Sequence, residues 1–265
     1  MRNRILVYSE PPAEIGVLLP ALHDTFGHQK DIEIKQVYLP DILQGDILRD
    51  GNSVLALAGA PDGNGYREQF GGQGFQNIQN AIEHHNLNML GVCCFAYLAC
   101  PNYDFQRPQE AREYHKSEIS LIKARATGPI EELKDPNKAW GNGQWHNHEI
   151  ADISFFDRNG VPQNAAIGYT LGPRLILDDE SEHTIMARFE KVTERPPAVI
   201  ATELGTGKLV LSAVSIDTRG ETLRHQIMPI NQHFQDALTF AETLAEREAG
   251  RDLLWDQVWD YLLER

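Results

Sequence analysis

Basic residues are scarce in this chain of 265 residues. It contains 24 Lys and Arg against 38 Asp and Glu, which gives a formal net charge of −14. A surface with this charge repels phosphate backbones and anionic lipid headgroups. The composition therefore predicts a protein that binds neither nucleic acid nor a membrane.

Cysteines are few, and long apolar runs are absent. The three cysteines, Cys93, Cys94 and Cys100, cannot all pair within one chain, and a disulfide between the two neighbouring ones would be strained. The apolar run Ile5–Tyr8 is far shorter than a signal-peptide core, and no segment approaches the ~20 apolar residues of a membrane span. We therefore expect reduced thiols and a cytoplasmic protein.

The first hundred residues alternate between strand and helix patterns. "RILVYSE" is a continuous apolar run, and apolar residues then recur at three- and four-residue steps as far as Gly27, a typical helix end. Strand patterns follow at residues 32–39 and 53–61, and a helix pattern around residues 75–82 precedes a further strand. This alternation predicts an α/β fold with a mainly parallel central sheet covered by helices. Ligands in such folds bind at the carboxyl ends of the strands.

The second half of the chain is rich in strand patterns. They begin at about residue 118 and are joined by turn signals such as Asn159-Gly160. The chain closes with two amphipathic helix patterns separated by Gly250. We assign residues 1–225 to one domain and residues 226–265 to a C-terminal helical extension packed on it. The apolar positions of the two helices are Phe234, Ala237, Leu238, Ala241, Leu244, Leu254, Val258 and Leu262.

The stretch "NMLGVCCFAYLAC", residues 88–100, predicts a buried strand that turns sharply into a helix. A cysteine at such a corner has the position of a nucleophile, and a helix amino terminus can lower the pKa of its thiol. Free cysteines also serve as small buried apolar residues. The pattern alone leaves both interpretations of Cys93 open.

Six segments, taken in order, resemble the biotin-protein ligase N-terminal domain family. They are "ILVYSEPPA", "LALAGAPDGNGY", "GGQGFQNIQNAIEHHNLNMLGVCCFAYLAC", "KARATGPI", "IGYTLGP" and "GKLVLSAVSID", and the similarity covers roughly residues 3–220. The family is a branch of the class I glutamine amidotransferase-like superfamily. The resemblance implies a flavodoxin-like fold of three layers. The catalytic domain of full-length biotin ligases carries a Gly-Arg-Gly-Arg-type loop, which has no match in this sequence, so we do not expect biotin ligation.

The resemblance implies a catalytic triad that is incomplete in this chain. Cys93 resembles the nucleophilic cysteine of the family, Ser215 stands where the family has its histidine, and Asp217 stands where it has glutamate. A serine hydroxyl cannot accept a proton near neutral pH, and loss of one triad member costs about 10⁴ in kcat. Phe95 replaces a small glycine beside the thiol and narrows the space there.

The resemblance also implies an oxyanion hole and a binding cleft. The backbone N–H groups of Ala60 and Cys94 would form the hole, and Gly59, Tyr66 and Tyr97 would line the cleft. We therefore expect a catalytically degenerate domain that binds a small molecule or a protein partner.

An active thiol enzyme is the alternative, with a relocated base. The candidate bases are His225, His146 and His148, and Glu10 is a further thiol partner because the DJ-1/PfpI branch of the superfamily has a glutamate just after its first strand. The "HNHE" segment also contains zinc-ligand residue types, but its spacing is not that of a typical site, and we expect no metal and no cofactor.

An interaction protein that forms oligomers through its C-terminal helices is the third hypothesis.

Overall fold

A computed structural model describes residues 3–60, 64–106, 112–134, 148–226 and 234–264. The strands of the described residues are β1 (Asn3–Tyr8), β2 (Ile32–Val37), β3 (Ser53–Leu57), β4 (Leu87–Val92), β5 (Asn102–Phe105), β6 (Glu113–Lys116), β7 (Ala124–Gly128), β8 (Glu149–Phe156), β9 (Pro162–Tyr169), β10 (Arg174–Leu177), β11 (Thr184–Phe189), β12 (Pro197–Leu204) and β13 (Gly207–Ser212). The helices are α1 (Ile15–Phe26), α2 (Leu39–Gln44), α3 (Asn64–His84), α4 (Cys94–Leu98), α5 (Gly220–Gln226), α6 (Phe234–Glu246) and α7 (Glu248–Leu263).

The large sheet has nine strands in the order β2-β1-β3-β4-β13-β12-β11-β8-β9. The first five strands are parallel, as the sequence predicts. The other four strands are antiparallel to their neighbours, so the sheet is mixed, and the prediction of a mainly parallel sheet is correct only for its first part. Short connections explain the pairs β8–β9, β11–β12 and β12–β13, because strands joined by a tight turn must run in opposite directions. A smaller sheet has the order β10-β7-β5-β6.

Helices cover both faces of the parallel part because its strands are apolar on both faces. In β1, Ile5 and Val7 belong to one core cluster, and Leu6 and Tyr8 belong to the other. Successive side chains of a strand point to opposite faces, so a continuous apolar run supplies both layers. Buried residues of α1 and α7 complete the first cluster, and those of α3 and α4 complete the second. The predicted end of α1 at Gly27 is confirmed.

The antiparallel part folds back on the parallel part. The backbone N–H of Ser215, just after β13, donates to the carbonyl of Gly168 in β9 at 2.8 Å. Gly172 lies so close to Ala213 that a Cβ on it would meet the Ala213 carbonyl oxygen at 1.8 Å. The segment after β9 therefore lies beside the carboxyl ends of β4 and β13.

The C-terminal helices are separated at Arg247, and the predicted break at Gly250 is wrong. Gly250 lies in the first turn of α7, where a Cβ would meet the Asn164 carbonyl oxygen at 2.1 Å. The glycine therefore permits close approach of α7 to β9. The apolar face of α7 is buried within the chain through Leu254, Trp255, Val258, Trp259 and Leu262.

We expect Trp259→Ala to lower the free energy of unfolding by about 3 to 5 kcal/mol, because it removes a large buried side chain and leaves a cavity. The Trp259 ring is 1% exposed and packs edge-on against Phe26, with 5.2 Å between ring centroids. Urea denaturation measures the effect. Leu253→Ala on the exposed side of the same helix, where the residue is 44% exposed, is the control and should change stability by under about 1 kcal/mol. Equal losses in the two variants would contradict this packing.

Candidate functional site

Cys93 lies at the corner between β4 and α4, at the carboxyl edge of the parallel strands. Its φ of 54° is unusual for a residue other than glycine, and such strained positions are often found at functional sites. The Cys93 backbone N–H donates to the Ser212 carbonyl at 2.7 Å, which ties the corner to the end of β13. The backbone therefore has the sharp turn that the sequence predicts at this position.

The Cys93 sulfur is packed inside the chain. The residue is 7% exposed, and its thiol donates a hydrogen bond to the Thr170 carbonyl at 3.0 Å. On another side, Gly59 approaches so closely that a Cβ on it would lie 3.5 Å from the Cys93 Cβ. The space that an acyl substrate needs beside the sulfur is thus occupied on the Thr170 side by backbone.

Burial, together with the negative charges of Glu14 and Asp217, raises the pKa of the Cys93 thiol to about 12. The backbone N–H of Cys94 acts in the opposite direction but is weaker. Helix α4 has only five residues, so its dipole offers little to offset desolvation. The thiol is therefore protonated at neutral pH, whereas a nucleophilic cysteine has to be a thiolate.

A buried carboxyl group lies near the thiol. Asp217 is 4% exposed, and burial raises its pKa to about 6, although the positive charge of Arg251 lowers it. Arg251 comes from α7 and is itself 2% exposed. Its Nε donates to the Ile216 carbonyl at 2.7 Å, and its Nη1 donates to Asp252 Oδ1 at 2.7 Å. Helix α7 therefore supplies the countercharge for the predicted site residue Asp217.

Glu14, and not Glu10, is the glutamate whose charge acts on Cys93. Glu10 Oε2 accepts a hydrogen bond from the Leu39 N–H at 2.6 Å, at the start of α2. Glu14 lies on the other side of the Pro11-Pro12 pair, and its N–H donates to the Gly59 carbonyl at 2.9 Å. The sequence shows both glutamates after the first strand, and only the path of the chain through the two prolines distinguishes them.

The predicted oxyanion-hole and cleft residues lie around the same strand ends. Ala60 is 9% exposed and Cys94 is 6% exposed. The Tyr66 hydroxyl donates to the Ala58 carbonyl at 2.9 Å, and the Tyr97 hydroxyl donates to the Leu171 carbonyl at 2.8 Å. Both phenols are therefore engaged by backbone.

Among the described residues, Ser215 and the candidate bases His225 and His148 contact groups other than the Cys93 sulfur. Ser215 takes part in the backbone bridge to Gly168. The side chain of His225 is 78% exposed, and its Nε2 lies 3.2 Å from Glu221. His148 Nδ1 lies 2.6 Å from the Thr170 hydroxyl. His146 lies outside the described residues.

Three successive carbonyls after β9 accept hydrogen bonds from side chains. We call residues Thr170–Gly172 the strap. Cys93 donates to the first carbonyl, Tyr97 to the second, and the Tyr169 hydroxyl to the third at 2.8 Å. The strap is part of the "IGYTLGP" segment, but its role could not be recognised from the sequence because its partners are remote along the chain.

The part of the chain that the structure describes contains neither a cluster of metal ligands nor a membrane-spanning helix. No group of three His, Cys, Asp or Glu side chains there is placed to hold a metal ion. None of the described helices is long and apolar enough to cross a membrane.

The chain is similar in structure to a glutamine amidotransferase from Thermotoga maritima. The two share 15% sequence identity with a TM-score of 0.59, and the match covers 100% of both chains. A cytoplasmic protein from Salmonella typhimurium matches at 11% identity and a TM-score of 0.43, over 91% of this chain and 98% of that one. An exo-β-1,4-mannosidase from an Opitutaceae bacterium matches at 10% identity and a TM-score of 0.42, over 92% of this chain and 36% of that one. No protein-family model and no curated protein sequence matches the chain. The first structure shows that the chain has a glutamine amidotransferase-like α/β fold.

Relative to the wild type, we expect Asp217→Asn to gain about 1 to 3 kcal/mol of stability between pH 4 and pH 7. The folded-state pKa of about 6 is above the unfolded value of about 3.9, so the unfolded state binds fewer protons between these pH values. The stability of the wild type therefore falls as the pH rises from about 4 to about 6. The variant should not show this fall, because an asparagine side chain does not titrate.

Urea denaturation between pH 4 and pH 8 measures the difference, with the exposed Asp256→Asn as the control variant. A stability difference between variant and wild type that is the same at pH 4 and pH 7 would contradict the raised pKa of the Asp217 carboxyl group.

Proposed function

We propose that the protein is a glutamine amidotransferase-like protein that does not hydrolyse glutamine and that binds a small molecule or a protein partner at the former catalytic cleft. The observation that carries this proposal is the hydrogen bond from the Cys93 thiol to the Thr170 carbonyl. The bond holds the proton on sulfur and places a backbone group on the face where an acyl carbon would approach.

Glutamine hydrolysis needs a thiolate and a base that takes and returns its proton. The charged groups that act on the Cys93 thiol are the carboxyl groups of Glu14 and Asp217, and both raise its pKa. Neither the hydrogen bonds nor the charges that the described residues place at the sulfur include an imidazole. These contacts favour the degenerate domain over the active thiol enzyme.

The location of the cleft supports a binding role. Glu14 is exposed at the start of α1, while Gly59 and Ala60 follow the parallel strand β3. Ligands of α/β folds bind where parallel strands end. We keep the biotin-protein ligase N-terminal domain family as the proposed branch of the superfamily, on the strength of the six segments and their order.

The chain's own packing covers the helices proposed for oligomer formation. The apolar residues of α7 contact the sheet, and Ala237, Ala241 and Leu244 of α6 form a small cluster with Leu223. Residues buried in this way are not available for a partner. The packing of these helices therefore gives no support to an interaction through them.

We expect purified protein to release no ammonia from glutamine above the level of its Cys93→Ser variant, because the wild-type thiol is protonated and covered. A coupled ammonia assay at pH 7.5 measures this. Turnover that Cys93→Ser abolishes would sink the proposal.

We also expect Cys93 to react with iodoacetamide at pH 8 at least about 100-fold more slowly in the folded protein than in urea, because a pKa of about 12 leaves far less thiolate than the ordinary value of about 8.5. Peptide mass spectrometry after timed quenching gives the rate at Cys93. The urea-unfolded sample is the matched control, and similar rates in the two samples would show that the thiol is accessible and ionised.

A further inference from the structure

Thr170 contacts both the Cys93 thiol and a histidine. Its carbonyl accepts the hydrogen bond of Cys93 at 3.0 Å, and its hydroxyl lies 2.6 Å from His148 Nδ1. A single strap residue therefore stands between a thiol and an imidazole, the two groups that form a cysteine nucleophile and its base.

We propose that the strap Thr170–Gly172 is an autoinhibitory contact, which keeps Cys93 inert by separating its thiol from the imidazole of His148. The inference rests on the proposed function, in which the thiol is inert in the folded protein, and it assigns that inertness to one displaceable segment.

Side-chain hydrogen bonds hold the strap in addition to the close backbone contact of Gly172 with Ala213. Tyr97 and Tyr169 are buried, and their hydroxyls donate to the carbonyls of Leu171 and Gly172 at 2.8 Å each. Each such bond is a discrete contact that one substitution removes. The closed position of the strap thus depends on a small number of identifiable donors.

The backbone of the strap is strained, and its outer side is accessible. Leu171 has a φ of 62°, which is unfavourable for a residue with a Cβ. Thr170 and Leu171 are half-buried, so both are partly open to solvent. The hydrogen bonds from Tyr97 and Tyr169 hold the strap in this strained conformation. Loss of either bond therefore favours displacement of the strap.

His148 also has contacts outside the strap. It precedes β8, whose first residue, Glu149, pairs with Tyr169 in β9. Its ring also packs against Phe240 of α6, with 5.5 Å between centroids. Movement of the strap would therefore leave the imidazole in place on one side of the vacated space and the Cys93 thiol on the other.

The test measures alkylation of Cys93 in the folded protein. In a Cys94→Ala/Cys100→Ala background, Cys93 is the single thiol, and iodoacetamide reports its rate. We expect Tyr97→Phe to raise this rate by roughly fivefold, the effect of one lost hydrogen bond on the closed state. Tyr169→Phe should raise it at least as much, because the Tyr169 hydroxyl also accepts a hydrogen bond from the Ile130 N–H at 2.7 Å. Tyr8→Phe is the matched control, because this buried hydroxyl contacts Gln69 and not the strap. It should leave the rate unchanged.

A second substitution tests the role of the imidazole. In the Tyr97→Phe protein, His148→Gln should remove most of the gain in rate, whereas His183→Gln, at a half-buried histidine before β11, should retain it. Hydrogen exchange at residues 170–172 and thermal unfolding verify that each variant is folded and that the strap is loosened.

Two results would overturn the proposal. One is a loosened strap with no gain in alkylation, which would show that Cys93 stays inert without it. The other is a gain that His148→Gln does not reduce, which would show that the strap blocks access alone. Failure of the proposed function is a separate outcome, because it appears as glutamine turnover by the wild-type protein.

Discussion

The backbone contact between the end of β9 and the end of β13 determines the chemistry of the site. Ser215 bonds to Gly168, and Gly172 lies against Ala213, so the segment that follows β9 must cross the corner occupied by Cys93. The Thr170 carbonyl then meets the sulfur. Without this contact, the thiol would lie at an open carboxyl end of β4. Ligands bind at such strand ends in other α/β sheets.

Desolvation outweighs the effects that activate a thiol at such a corner. The Cys94 N–H favours the thiolate, but α4 is only one turn long. Removal of water and the nearby carboxyl groups of Glu14 and Asp217 act against it more strongly, because the charged form is the one that burial penalises. An identical local backbone could therefore support either an active nucleophile or an inert thiol.

The C-terminal helix α7 contributes both packing and charge. Its tryptophans complete the core on the face covered by α1, while Arg251 places a buried cation near Asp217. A buried carboxyl group and a buried guanidinium stabilise each other only when both are present, because an isolated charge in the interior is costly. The site and the C-terminal helix thus depend on each other, although they are far apart along the chain.

The sequence by itself determined the order of β1, α1, β2, β3, α3 and β4, the end of α1 at Gly27 and the position of Cys93 at a sharp corner, but helix α2 was not predicted. These features follow from the spacing of neighbouring residues, which apolar patterns and glycines record directly. The antiparallel half was predicted only as β-rich, since pairing partners are not encoded in the pattern of one strand.

The tertiary structure alone decided the environment of the thiol. Thr170 lies 77 residues after Cys93, and Arg251 arrives from the last helix. Glu14 rather than Glu10 acts on the sulfur because of the path of the chain through two prolines. A thiol's pKa depends on groups within a few ångströms in space and on the water that they exclude. Proximity of this kind arises when distant segments pack together, which no local pattern of residues specifies.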